Sequence, residues 1–385
     1  MTQTHGAPLA VTRVTLTDFR CYAHLRLETD ARSVVLTGPN GSGKTNLLEA
    51  LSFLIPGRGL RRATLAEVAR RDGSGQWAVA AQVSGADGLP VSLGTGRLPP
   101  QAETPDRRTV HLDGETVKSQ AVLANHISAV WLTPRLDGLF LEGASARRRF
   151  LDRMIFGLDP AHAGRINAWD HASRARSKLL REGRGDATWL SALEQTLAEK
   201  GIAIAAARLD MAARLNAACA KGVGPFPAAS VALEGAVEQW LSEGPALAAE
   251  DRLRAALADA RGRDAETGGA GAGPHRSDLL VRHLGKDQPA EHCSTGEQKA
   301  VLIALILADA RMQAADRGSP PLLLLDEVAA HLDAERRAAL FDEIEALGAQ
   351  AWMTGTDRSL FAPLAGRAKF VGLRDGAIDP AASDD

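Results

Sequence analysis

The chain has 385 residues, of which 45% are hydrophobic and 24% charged, with 45 Lys and Arg against 47 Asp and Glu. This length and composition predict a folded protein with one large domain and an insertion or second domain, and they exclude a disordered chain, a long solenoid and a small disulfide-linked fold. Because the formal net charge is −2, bulk charge gives no argument for nucleic-acid binding, and any such contact must come from a local basic patch.

The cysteine pattern and the hydropathy predict a cellular location. Cys21, Cys219 and Cys293 are an odd number, lie far apart and form no CxxC pair, which argues against a disulfide framework or a zinc site and for a reducing compartment. No apolar run reaches the roughly 20 residues of a membrane helix. The start, MTQTHGAPLA, lacks the pattern of a signal peptide. We therefore expect a cytoplasmic protein without a membrane partner.

The first part of the chain has the pattern of strands around a glycine-rich loop. Alternating apolar residues and β-branched runs predict three strands within residues 11–40, and the last strand ends at a glycine-rich segment. Residues 47–54 carry leucines at helical spacing. Residues 77–118 return to strand character, with Asp113-Gly114 as a hairpin turn that needs positive φ, and predict an antiparallel layer.

The middle of the chain has helical character. Residues 144–222 are rich in Ala, Leu and Arg, with Gly and Pro at a few junctions, which predicts several packed helices. They contain 14 Lys and Arg against 8 Asp and Glu, whereas residues 223–267 contain 4 against 8. A GGAGAG segment at 268–273, which predicts a flexible connection, follows them.

The last third alternates again between strands and helices and ends in a hairpin. We therefore predict an α/β fold whose core is made of residues 1–143 and 268–385, with a mixed sheet, flanking helices and an antiparallel β layer. A mainly helical insertion, residues 144–267, interrupts this core.

A glycine-rich loop between the third predicted strand and the following helix fits the pattern GxxxxGK[ST]. In such a loop, backbone N–H groups surround a polyphosphate at a helix N-terminus, Lys44 reaches the β- and γ-phosphates, and the Thr45 hydroxyl binds Mg²⁺. A chance glycine turn is the alternative, and the strand and helix on either side argue against it. The predicted ATP-binding residues of this loop are Gly38, Pro39, Asn40, Gly41, Ser42, Gly43, Lys44 and Thr45.

An apolar run near the end of the chain, residues 321–325, finishes in two carboxylates. This pattern is typical of a buried parallel strand that delivers acids to the carboxyl edge of a sheet. Asp326, with Thr45, would hold Mg²⁺, and Glu327 would orient and deprotonate the attacking water, so that Glu327 and Lys44 are the predicted catalytic residues. The alternative is a strand that ends at a solvated acidic turn.

The segment CSTGEQK at 293–299 precedes an apolar helix. Alone, it predicts a helix cap in which Ser294 caps and Glu297 completes a capping box. Beside the phosphate loop and the acidic strand end, it resembles the signature motif of ABC-type ATPases. In that class, the resemblance implies, Ser294 and Gly296 bind the γ-phosphate held by a second copy, and Asp333 lies at the seam of an ATP-sandwiched dimer.

Further blocks narrow the resemblance. DFRCY precedes the phosphate loop, NLLEA continues it, and GASARRRFLD, GPHRSDL and STGEQKA follow, so that the blocks span nearly the whole chain. This chain resembles the RecF family of recombination and repair ATPases. The resemblance implies an ABC head like those of SMC proteins with a short helical arm. It also implies ATP and Mg²⁺ as cofactors, an ATP-dependent homodimer on single- or double-stranded DNA and gapped junctions, and slow DNA-stimulated hydrolysis. RecR, RecO and RecA are the implied partners in gap repair, replication restart and the SOS response.

Two positions depart from the wider ABC pattern. Arg135 stands where ABC ATPases usually place a glutamine, near the end of the strand before the helical lobe. Thr354-Gly355-Thr356 stands where transporter ATPases carry a histidine that senses the γ-phosphate, and members of the RecF family also lack that histidine. The sequence leaves open how these two loops sense the nucleotide.

For several basic residues the sequence allows two different roles. Arg147, Arg148 and Arg149 begin a predicted helix and either contact DNA phosphates or form a solvated basic face. The same two roles are possible for Arg20 and Arg62. His275, before a predicted strand, either makes a structural hydrogen bond or contacts the nucleotide or a partner.

Two other functions share part of these motifs. The nucleotide-binding subunit of an ABC transporter would have a phosphate loop and a DE strand, but the missing histidine, the non-LSGGQ signature and the basic insertion argue against it. A nuclease fused to an ABC head is the second, but fewer than sixty residues follow Glu327, too few for a further catalytic domain.

Overall fold

The computed structural model of the protein describes residues 9–85, 89–98, 106–183, 186–220 and 222–384. Backbone contacts divide the chain into two compact units. The first unit runs to Leu136 and adds Gly224–Phe226 and the chain from Ile306 onward, and the second comprises Asp137–Val223 and Pro227–Leu305.

The second unit is larger than the predicted insertion of residues 144–267, because it continues to Leu305. The structure thus ends this unit at residue 305, whereas the boundary drawn from the sequence lies at residue 268. The reason is a strand pairing over long range: residues 278–283 pair antiparallel with residues 229–234, and no local pattern in the sequence reveals that partner.

The first unit contains an antiparallel sheet of six strands in the order β2-β1-β4-β5-β6-β7. Its strands alternate buried and exposed side chains, as expected for a sheet with one face in the core. Asp113 and Gly114, both at positive φ, turn the chain between the last two strands, as predicted. The strands are β1 (Ala10–Phe19), β2 (Tyr22–Glu28), β4 (Trp77–Ser84), β5 (Pro90–Arg97), β6 (Arg108–Leu112) and β7 (Glu115–Thr116).

A mixed sheet with the order β15-β14-β3-β13-β12-β8 forms the other layer of this unit. Its neighbours are parallel except for the final hairpin of β14 and β15. Together the two sheets confirm the predicted α/β class with an antiparallel layer. The strands are β3 (Ser33–Thr37), β8 (Ala129–Leu132), β12 (Leu322–Leu325), β13 (Ala351–Gly355), β14 (Ala368–Arg374) and β15 (Ala377–Asp379).

One hydrophobic core joins the layers of the first unit. Leu47, Leu48 and Leu51 of the helix after β3 are buried in it, and Phe19, Phe53 and Trp77 form edge-to-face ring pairs with centroids 5.2–6.0 Å apart, a favoured aromatic geometry. The helices are α1 (Lys44–Ser52), α2 (Leu65–Val68), α9 (Thr295–Arg317), which begins in the second unit, and α10 (Ala334–Leu347).

The second unit is mainly helical, as predicted, and carries a small sheet. The sheet has the order β11-β10-β9 and is formed by β9 (Ala229–Glu234), β10 (Asp278–His283) and β11 (Gln288–Pro289). The helices are α3 (Ala144–Leu158), α4 (His162–Glu182), α5 (Ala187–Cys219), α6 (Ala236–Glu243), α7 (Ala246–Asp259) and α8 (Arg261–Thr267). None of the helices in the described ranges is long and apolar enough to cross a bilayer.

A buried ionic cluster ties the helices of the second unit together. Arg176 is fully buried, and its guanidinium donates to Glu194 at 2.9 Å, Asp264 at 2.8 Å and the carbonyl oxygen of Leu257 at 2.6 Å. Every charge in this cluster is therefore paired, which is the condition under which a buried arginine is tolerated.

Candidate functional site

The phosphate loop lies at the carboxyl edge of the mixed sheet. β3 ends at Thr37 and α1 begins at Lys44, so residues 38–43 form the loop between them. Gly38 and Gly43 have φ of 147° and 107°, and a Cβ there would overlap the carbonyl oxygen of Leu373 or the hydroxyl of Tyr22. Both positions therefore require glycine.

The polar groups of this loop have few partners within the chain. Among the described residues, the Lys44 ammonium donates only to the carbonyl oxygens of Gly38 at 2.7 Å and Pro39 at 2.9 Å. Burial lowers the pKa of Lys44, and the carboxylates of Glu327 and Asp326 oppose that shift. The Ser42 hydroxyl is buried and has no hydrogen-bond partner in the described part of the chain. A buried cation, an unpartnered hydroxyl and the N–H groups of a helix that lacks a side-chain cap fit a polyphosphate anion.

Tyr22 supports the phosphate loop through a hydrogen bond, a role that the sequence did not reveal. Its buried hydroxyl donates to the carbonyl oxygen of Gly43 at 3.0 Å. Burial, with a smaller effect of Cys21, raises the pKa of Tyr22 above its ordinary value, so the phenol keeps the proton that it donates. The DFRCY block contains this tyrosine, but only the tertiary structure shows what it contacts.

Asp326 is the centre of a hydrogen-bond network at the end of β12. Its Oδ1 accepts hydrogen bonds from the hydroxyls of Thr45 and Thr354, each at 2.8 Å. The Thr354 hydroxyl in turn accepts from the backbone N–H of Glu327 at 2.8 Å. Thr354 lies on β13, which is paired with both β3 and β12, and its buried hydroxyl links Asp326 to the backbone of Glu327, while Asp326 itself connects this strand end to Thr45.

This donor set fits Mg²⁺. Thr45 and Asp326 offer a hydroxyl and a carboxylate oxygen side by side, which are the hard ligands that Mg²⁺ prefers, with phosphate oxygens and waters completing its shell. No cluster of three or more His, Cys, Asp or Glu side chains suited to a metal occurs in the ranges described, as expected if the nucleotide supplies most of the other ligands.

Glu327 follows Asp326 in a left-handed conformation, with φ of 52° and ψ of 26°. Such a conformation is unfavourable for a residue with a Cβ and occurs often at functional sites. Glu327 is half-buried, and its charge is close enough to Lys44 to affect the pKa of that ammonium. The predicted base is thus placed beside the predicted phosphate ligand.

The other predicted nucleotide residues make none of the hydrogen bonds described above for this network. Asp333 caps α10, because its carboxylate accepts from the N–H of Arg336 at 2.8 Å. Ser294 and Gly296 are exposed in the second unit, at the start of α9. Their proposed contacts with a second copy stay predictions.

The alternative reading of the signature segment as a helix cap has a structural basis. The carboxylate of Glu297 accepts from the N–H of Ser294 at 3.1 Å and pairs with Lys286 at 2.6 Å. The Lys286 ammonium and the Ser294 N–H lower the pKa of Glu297 to about 2. Ser294 interacts with the carboxylate of Glu297 through its N–H and its side chain and is nevertheless exposed, so capping and nucleotide contact are compatible.

Arg135, at the position where ABC ATPases usually have glutamine, lies in a short 3₁₀ segment, Pro134–Leu136, and is exposed. It makes no hydrogen bond or ion pair with any described residue.

Arg147 and Arg148 are engaged within the second unit. Arg147 pairs with Asp278 through two contacts, at 2.8 and 2.6 Å, and donates to the carbonyl oxygens of Phe140 and Glu142. Arg148 donates to the carbonyl oxygen of Ser277. Arg147 and Arg148 therefore do not form a solvated basic face, one of the two alternatives that the sequence allows for them. Contact with DNA through either residue stays a prediction, and it would have to compete with these internal partners.

His275 has a structural environment. Its ring stacks on Trp169 with centroids 4.7 Å apart, and its Nε2 lies 2.9 Å from the carbonyl oxygen of Ala270. Its Nδ1 is buried without a partner in the described chain. Burial lowers the pKa of His275 to about 4. The predicted flexible segment 268–273 is anchored here, because Ala270 is buried.

The depressed pKa of His275 predicts a loss of stability in acid. The ordinary value is 6.5, so between that pH and about 4 the unfolded chain binds a proton that the folded chain does not, and stability falls as the pH falls. We expect up to about 3 kcal/mol of this loss to disappear in His275→Gln, which keeps a donor for Ala270. Urea unfolding of both proteins at neutral and acidic pH measures it, and an identical pH dependence would contradict it.

Comparison with known proteins shows the family of this chain. The family model described as RecF/RecN/SMC N terminal domain matches residues 10–372. A protein of Allorhizobium ampelinum named DNA replication and repair protein RecF is 51% identical over 373 residues, covering 96% of this chain and 98% of the relative. A protein of Mesorhizobium japonicum with the same name is 47% identical over 380 residues, covering 98% of each.

Solved structures show the same fold. A structure described as the recombination mediator protein RecF-ATPrS in the RecFOR pathway matches with a TM-score of 0.85 at 22% identity, covering 97% of this chain and 99% of that one. The Smc head domain of Pyrococcus furiosus matches with a TM-score of 0.52 at 16% identity, covering 96% and 95%. The predicted architecture of an ABC-type head with an inserted arm is thus confirmed at the level of the fold.

Proposed function

Because this chain belongs to the RecF family within the RecF/RecN/SMC group, we propose that it is an ATP-dependent, DNA-binding recombination mediator. The observation that carries the proposal is the network in which Asp326 accepts from Thr45 and Thr354 beside a buried Lys44. This arrangement has the parts that a nucleoside triphosphatase of the P-loop class needs at one sheet edge. The relatives named RecF match over nearly their full length, which supports carrying the role over to the whole chain.

The residues of this site have separate roles in the proposed ATPase. The loop N–H groups and Lys44 bind the phosphates, and Thr45 and Asp326 hold Mg²⁺, which neutralises charge on the phosphate oxygens when bound. Glu327 orients a water and accepts its proton. Thr354 keeps Asp326 and the backbone of Glu327 in place through its hydroxyl. Hydrolysis is slow and is stimulated by DNA, as the family resemblance implies.

ATP binding drives dimerisation in this proposal. Ser294 and Gly296 of one copy contact the γ-phosphate held by the other, and Asp333 lies near the seam. The dimer forms on DNA and, with RecR and RecO, helps to place RecA at gaps, in gap repair, replication restart and the SOS response. The cytoplasmic location predicted from the sequence is part of the same proposal.

Sedimentation velocity tests this function directly. We expect a monomer with ADP, a dimer with ATP, and the most dimer with ATP and gapped DNA, because each bound nucleotide links two copies. A chain that stays monomeric with ATP and gapped DNA would contradict the proposal. The transporter alternative predicts instead a partner in the membrane, and neither the relatives' names nor the RecF-like structures support it.

A further inference from the structure

A cavity of about 780 Å³ in the first unit is surrounded by arginines. Its basic lining residues are Arg20, Arg61, Arg62, Arg70, Arg71 and Arg97, and we call this site the arginine concavity. Glu67 is the one acidic residue among the lining residues of this part of the chain. The chain as a whole carries a net charge of −2, so this local excess of positive charge is not a consequence of composition.

Internal ion pairs compensate only part of this charge. Arg20 and Arg61 share the buried carboxylate of Glu49, at 2.7 and 3.3 Å. Arg70 pairs with Asp18 and Arg97 with Asp106, each at 2.8 Å. Two guanidiniums thus share one carboxylate, which leaves positive charge in excess around the cavity.

Arg71 adds to this excess at the rim. It is exposed and has no ion pair or hydrogen bond to any residue within the described ranges. Arg62 is exposed as well. A cationic lining with two exposed guanidiniums suits an extended anion that lies across the opening.

The backbone around the arginine concavity is held in place. The guanidinium of Arg20 donates to the carbonyl oxygen of Glu67 at 2.6 Å, and that of Arg97 donates to the carbonyl oxygen of Gly75 at 2.7 Å. Thr64 and Glu67 form a capping box at α2. Binding an anion here would therefore require little reordering of the protein, which favours affinity.

Backbone strain points to the same place. Asp18, Arg20 and Arg62 have φ of 47°, 54° and 58°, although none is glycine. Arg20 and Arg62 line the concavity, and Asp18 holds Arg70 there. Residues held in this conformation occur often at functional sites.

We propose that the arginine concavity binds the phosphodiester backbone of duplex DNA. This inference rests on the proposed function, which supplies the DNA, and adds the residues that hold it. Guanidinium groups form paired hydrogen bonds to phosphate, and several arginines across one opening match a polyanion with regularly spaced charges better than a single small anion. It assigns the contact to residues other than Arg147 and Arg148, which have partners within the chain.

The salt dependence of DNA binding tests the proposal. We expect Arg71→Ala to flatten the slope of log affinity against log salt by up to ~1, and Arg62→Ala with Arg71→Ala by up to ~2, with roughly a tenfold loss of affinity per contact near 0.1 M salt. Arg26→Ala is the matched control, since Arg26 is an exposed arginine of the same unit that is paired with Glu28 and does not line the concavity. Slopes equal to wild type in the double variant overturn the proposal.

Two further measurements separate this proposal from its premise. If the wild-type protein binds no DNA with ATP, the proposed function itself fails. If wild type binds DNA and the double variant loses affinity for ATP alone, measured without DNA, while its DNA affinity is unchanged, the concavity serves the nucleotide and the proposal is overturned. Thermal unfolding of each variant reports whether a loss of binding comes from misfolding. If it does, the test passes to Arg71→Lys, which keeps the charge and must keep most of the DNA affinity.

Discussion

Lys44→Met is expected to abolish ATP-induced dimerisation, whereas Glu327→Gln is expected to keep ATP binding and to accumulate the ATP-bound dimer. The first change removes the buried ammonium that donates to the carbonyl oxygens of Gly38 and Pro39. The second leaves the bonds of Asp326 with Thr45 and Thr354 intact but removes the base. Loss of a general base lowers hydrolysis by about 10²- to 10⁴-fold.

Phosphate release and sedimentation velocity, on the same samples with ATP and gapped DNA, measure both effects. Glu335→Gln is the control for the second variant, because Glu335 is an exposed acid on the nearby helix α10 and should leave hydrolysis unchanged. Hydrolysis at the wild-type rate in Glu327→Gln would show that another group is the base.

Ser294→Arg is expected to block the dimer while leaving ATP binding to the monomer nearly unchanged. Ser294 is exposed, and in an ABC head the signature serine reaches only the nucleotide of the partner. A bulky cation in place of a small hydroxyl would then disturb the seam and not the loop around Lys44. Nucleotide titration of the monomer and sedimentation with ATP separate the two effects.

Mixing Ser294→Arg with Lys44→Met gives the sharper test. If the site is shared, a mixed dimer has one site in which both changes face each other and one site in which Lys44 and Ser294 are both intact. ATPase activity should then partly recover on mixing, although neither variant is active alone. Complete loss of monomer ATP binding in Ser294→Arg would place the motif in its own chain's pocket and refute the sandwich.

Local patterns in the sequence were enough for the class of fold and the family. Each of the patterns used is formed by consecutive residues: a glycine loop between a strand and a helix, an apolar strand that ends in Asp326 and Glu327, and Ala-rich helices. The RecF family and the α/β class predicted from these patterns are confirmed by the relatives and by the neighbouring structures. The roles of the individual site residues stay predictions.

Only the tertiary structure decided which groups meet. Thr354 bridges Asp326 and Glu327 because β13 pairs beside β12, and the sequence offered only a position where a histidine was missing. Arg147 pairs with Asp278, which lies 131 positions later in the chain. Because of this partner, Arg147 is not part of a solvated basic face.

The arginine concavity is a further feature that the sequence alone does not predict. Its arginines lie between residues 20 and 97 on a turn, a loop and a strand end, and nothing in their spacing predicts that they surround one cavity. Periodicity and turn chemistry determine local conformation because they act over a few residues. Ion pairs and strand partners depend on packing between distant segments, so the chain must fold before they exist.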